Sequence, residues 1–255
     1  MLYNRLLPFI AAIGSLIGLE LLLYSHQALY YVLILVSFFQ VAILWRYAKS
    51  SNVNKEWWRF SILPVVFFSS AVLYISLLKL DNFYLIQFLF GLVTVLLYFY
   101  FRFCYYYLLR PNSYKVGSIE SLSIYVNFLS FYFTAASLYG LGAFLNISIW
   151  PLILGLAIVT LLVVYQLFWA SKIDLKHSAV EFAIICLCLM ESALAFSFWP
   201  LNYHVVGLSL AVCYYVLVSL LRFKLLDDLD KQKIKYYLTF AGISLALLWL
   251  TARWL

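Results

Sequence analysis

Charge is scarce in this chain. Lys, Arg, Asp and Glu together make up 11% of its 255 residues, against about 25% in a typical soluble domain. That shortage excludes a surface designed for water. Histidines number three and cysteines four, so there is little to build a metal centre or a disulfide scaffold. The four cysteines, Cys104, Cys186, Cys188 and Cys213, all lie inside apolar stretches. Cys186 and Cys188 are two apart, which on a helix turns them to nearly opposite sides. Packing as small apolar residues is their expected role. No glycine-rich phosphate loop, metalloprotease helix or zinc cluster occurs, and no cofactor is assigned.

What fills the chain is apolar. Hydrophobic residues make up 67% and aromatics 20%. A soluble fold of this size cannot hide that much apolar surface, so the expected solvent is lipid. A spanning helix needs roughly 20 mostly apolar residues. Segments of that kind occur near 5–24, 27–47, 58–80, 83–104, 121–145, 149–170, 178–199, 203–223 and 235–254. The expected fold is an all-α, polytopic transmembrane helix bundle. It would have about nine spans in short-turn hairpins and form one integral membrane domain over residues 1–255. The first segment has a basic residue before an apolar run, as a signal peptide does. No small-x-small cleavage site follows, so it is read as a span.

Basic residues mark an orientation. With the loop between the second and third segments in the cytoplasm, only Lys79 and Arg253 of the 17 Lys and Arg fall on the far side. This predicts a cytoplasmic N-terminus and a bacterial-type cytoplasmic membrane. The net charge of +7 is then explained by orientation and by attraction to anionic lipid, with no nucleic acid needed. The far-side turns are short, around Leu80-Asp81, Leu145-Asn146 and Leu201-Asn202. Asp and Asn suit helix N-caps there, because the side-chain oxygen accepts a free backbone N–H. Pro64 interrupts the third segment and removes a helical hydrogen bond.

Intramembrane acids are the main functional candidates. A charge near the bilayer centre costs at least about 2.5–3.5 kcal/mol on insertion scales. The seventh segment carries Glu191 near its middle and Glu181 near its cytoplasmic end. With His177, Cys188 and Ser192 they fall within an arc of about 100°, which is expected to face the bundle interior. On the fifth segment Ser123, Asn127, Ser130, Thr134 and Ser137 fall within about 80°. That stripe reads as a packing surface or as the wall of a hydrated cavity opposite the seventh segment. Glu20 lies opposite a small face of Ala11, Gly14, Ser15 and Gly18, which suits close helix contact.

Two other clusters are weaker. Arg102 and Arg110, near Tyr105–Tyr107, are candidates for a lipid headgroup phosphate. Asp227, Asp228 and Asp230 form an acidic run crowded by Lys231, Lys233 and Lys235. Membrane prenyltransferases hold magnesium and diphosphate with paired acidic motifs; the second motif is missing here, so this run reads as locally balanced charge.

Three functions are consistent with these residues. The first is small-molecule or proton-coupled transport, with Glu191 as the protonatable centre. Glu181 and His177 would lead to it, and Asn127, Ser130 and Thr134 would line the facing wall. The second is a non-catalytic membrane subunit or scaffold. The third is a lipid-modifying enzyme working at Arg102 and Arg110, although no nucleophile stands beside them. Expected partners are membrane lipids, with either other membrane subunits or further copies of the chain.

Overall fold

A computed structural model describes residues 2–24, 26–51, 57–78, 83–173 and 178–252. Among these residues every regular element is helical, and nine helices are long and apolar enough to cross a membrane. They are α1 (Leu2–Tyr24), α2 (Leu29–Ser50), α3 (Trp57–Leu77), α4 (Phe83–Leu109), α5 (Ser118–Leu145), α6 (Ile149–Ala170), α7 (Ala179–Ser197), α8 (Tyr203–Leu225) and α9 (Lys231–Thr251). The chain is an integral, multi-pass membrane protein.

α4 and α9 run furthest beyond the expected bounds. α4 continues past Cys104 to Leu109 and stops before Pro111, whose ring disfavours helix in the residue ahead of it. α9 begins at Lys231 rather than 235, because the lysine-rich stretch is helical too. At the turns, Asn202 caps α8 as expected, its side chain accepting from the His204 N–H at 3.1 Å. Asn146 does not cap α6. It takes a left-handed φ of 52° just after α5, and Ser148 occupies the N-cap position. Asn is one of the few non-glycine residues that accept this conformation at a helix end. Leu80-Asp81 lies outside the described residues.

The chain divides into two compact units, Met1–Asn127 and Phe128–Leu255. In the first, α1 packs on α2 and α4, and α2 packs on α3. The small face of α1 is a contact surface, as the sequence suggested. Ala11 and Ser15 are fully buried, and Gly18 meets Val32, Val36 and Phe68. Ser15 ties α1 to α2: its hydroxyl donates to the Ala11 carbonyl at 2.9 Å and accepts from the buried Gln40 amide at 3.1 Å. Pro64 leaves the Phe60 carbonyl without its usual donor, since proline has no N–H. The Tyr100 hydroxyl of α4 donates to that carbonyl at 2.7 Å. The break in α3 is thus repaired by α4.

In the second unit, α6 packs on α7, α7 on α8, and α8 on α9. The later part of α5 joins them. Phe131 stacks on Tyr214 with centroids 4.6 Å apart, and the Tyr139 hydroxyl donates to the Ala193 carbonyl of α7. Gly207 brings α8 against the backbone of α5 at Ala136. At one end Trp249 packs 4.8 Å from Trp199, and its indole N–H donates to Ser209 at 3.2 Å.

Candidate functional site

α7 has a buried stripe and an exposed one. Ile185, Leu189, Ala193 and Phe196 are buried. Val180, Ile184, Leu187 and Phe198 form the opposite, exposed stripe. Glu191 is exposed and falls within that second stripe, roughly 150° around the helix from the centre of the buried one. Within its own unit, Glu191 therefore does not point into the packed interior, contrary to the expectation from the sequence. The spacing rule grouped the polar residues correctly but could not say which way the group points. The rest of the group sits at the boundary between the two stripes. Cys188 and Ser192 are half-buried, and the Ser192 hydroxyl donates to the Cys188 carbonyl at 2.8 Å, within its own helix.

Depth matters as much as direction. α7 has 19 residues, about 28 Å at 1.5 Å per residue. Glu191 is twelve residues from its start, hence about 18 Å along it and within about 5 Å of its middle. A charged carboxylate at mid-span costs at least about 2.5–3.5 kcal/mol unless a partner or water meets it.

Glu181, near the start of α7, is accounted for differently. Its carboxylate lies 3.9 Å from the Lys224 ammonium at the end of α8, and both side chains keep water contact. Such a pair contributes at most about 1 kcal/mol and is weakened by salt. Glu181→Gln should therefore leave the thermal unfolding temperature nearly unchanged, with any difference vanishing at high salt. His177 lies outside the described residues.

The α5 stripe is buried along its length. Ser123, Asn127 and Ser130 are fully buried, and Thr134 and Ser137 nearly so. Thr134 donates to the Ser130 carbonyl at 2.8 Å and Ser137 to Phe133. These two hydroxyls are spent on their own helix, as is common where small polar residues line helix contacts. Contact between α5 and α7 is real, through Tyr139 and Ala193. Glu191 lies on the other side of α7 from that contact.

The acidic run is balanced locally. Lys233 lies 2.6 Å from the Asp228 carboxylate and donates to its carbonyl. Among the described residues no group of three or more His, Cys, Asp or Glu is placed to hold a metal ion.

Arg102 on α4 and Arg110, just past its end at Leu109, are both exposed. The tyrosines beside Arg102 include Tyr106 of the expected Tyr105–Tyr107 run but not Tyr105 and Tyr107, which turn away to pack on Tyr47 and on Phe60 and Tyr114. They are Tyr98 and Tyr106, whose rings both lie 5.8 Å from the guanidinium carbon. Both stand four residues from Arg102, and residues four apart share a helix face. The expected run contained Tyr106, and the same four-residue spacing picks out Tyr98 as its counterpart. Outside the spans, Tyr114 is half-buried and its hydroxyl accepts from the Ile119 N–H at 3.3 Å; burial raises its pKa.

No curated protein and no solved structure is detectably similar to this chain. A family model does match it, over residues 4–251, and so takes in all nine helices almost entire. The chain belongs to the family DUF5656, described as a protein of unknown function.

Proposed function

We propose that this protein is a membrane subunit that docks a second membrane protein against the exposed face of α7, with Glu191 as the polar contact. The observation that carries this reading is the direction of Glu191, outward at mid-helix among Ile184, Leu187 and Phe198. Intramembrane carboxyls pair with a cation or a hydrogen-bond donor. The partner is therefore a transmembrane helix carrying Lys, Arg or an amide at matching depth. A second copy does not supply such a cation. Among the described helices the basic residues lie toward the ends, Arg102 being the furthest in at seven residues from the end of α4, a helix of 27 residues that outruns the hydrocarbon core, whereas Glu191 lies near the middle of α7.

Native mass spectrometry of the protein released from a mild detergent tests this. The wild type should carry a partner at fixed ratio. Glu191→Leu should lose it, and Glu191→Gln, which keeps hydrogen bonding but not charge, should retain part of it. A wild type that appears alone or only as a homo-oligomer sinks the reading.

Proton-coupled transport is the second reading, and the same carboxyl supports it, as a mid-membrane group able to take and release a proton. Asn127, Ser130 and Thr134 would then line a path only after α5 moved from its packed position. Uptake into proteoliposomes that is unaltered in Glu191→Gln, at every pH, would remove that reading. In either case the end of the bundle bearing Arg5, Arg46, Arg59, Arg102 and Arg110 is proposed to face the cytoplasm. Labelling of single cysteines introduced at Asn112 and Asn146 from one side of the membrane checks it.

A further inference from the structure

α1 and α4 run antiparallel and touch. The rings of Phe9 and Tyr98 lie 4.7 Å apart. One helical turn from each, toward the same end of the unit, stand Arg5 and Arg102, each four residues away and so on the same faces as the touching rings. Both arginines are exposed. Their depths also match. Arg5 is 19 residues from Tyr24 at the far end of α1, and Arg102 is 19 residues from Phe83 at the far end of α4. That is about 28 Å in each case, close to the roughly 30 Å thickness of the hydrocarbon core. Both guanidinium groups therefore reach the phosphate level of the same leaflet.

Arg102 is also held in place. Its Nη1 donates to the Tyr98 hydroxyl at 3.2 Å, and Tyr98 and Tyr106 flank the guanidinium at 5.8 Å on either side. Phe9 in turn supports Tyr98. A guanidinium whose rotation is restricted loses less freedom on binding, and its planar fork matches two oxygens of a phosphate. Further along the same flank, Phe9, Ile13 and Val95 are exposed apolar side chains, a surface for an acyl chain.

From this we infer a binding site for an anionic phospholipid on the α1–α4 flank, with Arg5 and Arg102 on the phosphate and Tyr98 and Tyr106 orienting Arg102. The exposed apolar flank beside the arginines selects a lipid over free phosphate, and the paired positive charge selects an anionic headgroup over a zwitterionic one. The site lies within the first unit and is independent of what docks at Glu191.

The test uses the full chain in nanodiscs of phosphatidylcholine containing a minor fraction of phosphatidylglycerol, with retained lipids counted by native mass spectrometry. The wild type should retain phosphatidylglycerol well above its bulk share. Arg5→Gln and Arg102→Gln should each lower that enrichment about five-fold, and the double variant about thirty-fold. Arg102→Lys, which keeps the charge but not the fork, should fall in between and guards against misfolding of the glutamine variant. Arg110→Gln should have little effect, because Arg110 lies past the end of α4 at Leu109, which is itself about 10 Å along the helix from Arg102, beyond a screening length of about 8 Å. Bulk lipid ratios in the wild type, an unchanged double variant, or an Arg110→Gln loss equal to that of Arg102→Gln would each overturn the site.

Discussion

Gly207→Ala lowers the unfolding temperature of the detergent-solubilised protein, and Gly207→Leu yields little folded protein. A Cβ at Gly207 would lie 2.7 Å from the backbone nitrogen of Ala136 and 2.8 Å from its Cα and Cβ. Backbone cannot rotate out of the way as a side chain can, so α5 and α8 must move apart. In a membrane that separation matters, since helices associate through close packing of small residues rather than by the hydrophobic effect. Overpacking typically costs about 1–3 kcal/mol, which for a chain of this size corresponds to roughly 2–10 °C. Gly242 is the internal comparison. Nothing lies within 4 Å of a Cβ there, so Gly242→Ala should gain about 0.5–1 kcal/mol from helix propensity alone. Gly18→Ala should be intermediate, because the atom it meets at 2.7 Å is the Val36 Cγ2, a side-chain methyl. If Gly207→Ala melts at or above the wild-type temperature, the backbone contact between α5 and α8 is not as close as described.

The spans were legible because lipid leaves a one-dimensional signal, long apolar runs punctuated by polar turns. Helix ends were legible where a side chain acts locally, as at Asn202. They were missed where the deciding residue acts from further along, as Pro111 does on α4, or where Asn146 serves the preceding helix instead of the following one. The small face of α1 was legible because close approach needs small residues and little else. The orientation of Glu191 was not. Hydrophobic patterning tells an exposed face from a buried one only when exposed means polar, and on α7 both stripes are apolar. The usual remedy is to send any charge inward, and α7 departs from it. Arg102 shows the converse: its two tyrosines are set by helical spacing alone, whereas Arg5 joins it only through the fold.

Pro64 and Tyr100 supply the sharpest test of the first unit. Proline at position 64 removes the donor that would serve the Phe60 carbonyl, and nothing in the local sequence says what replaces it. The replacement comes from 40 residues away, the Tyr100 hydroxyl at 2.7 Å. Tyr100 and Phe60 are both buried, so water does not compensate for its loss. Tyr100→Phe keeps the ring and its packing but removes the hydroxyl that donates to the carbonyl. It should cost about 1–2 kcal/mol, in the upper range for interhelical hydrogen bonds in membranes. Pro64→Ala gives the carbonyl a backbone donor of its own. In that background the same Tyr100→Phe change should cost less than half as much. The double-mutant cycle therefore has a coupling of at least about 0.5–1 kcal/mol, measured from reversible unfolding in mixed micelles. Additive costs would mean that the tyrosine does not stand in for the missing N–H. A larger cost in the Pro64→Ala background would mean that the hydroxyl holds α3 and α4 together for some reason unrelated to the proline.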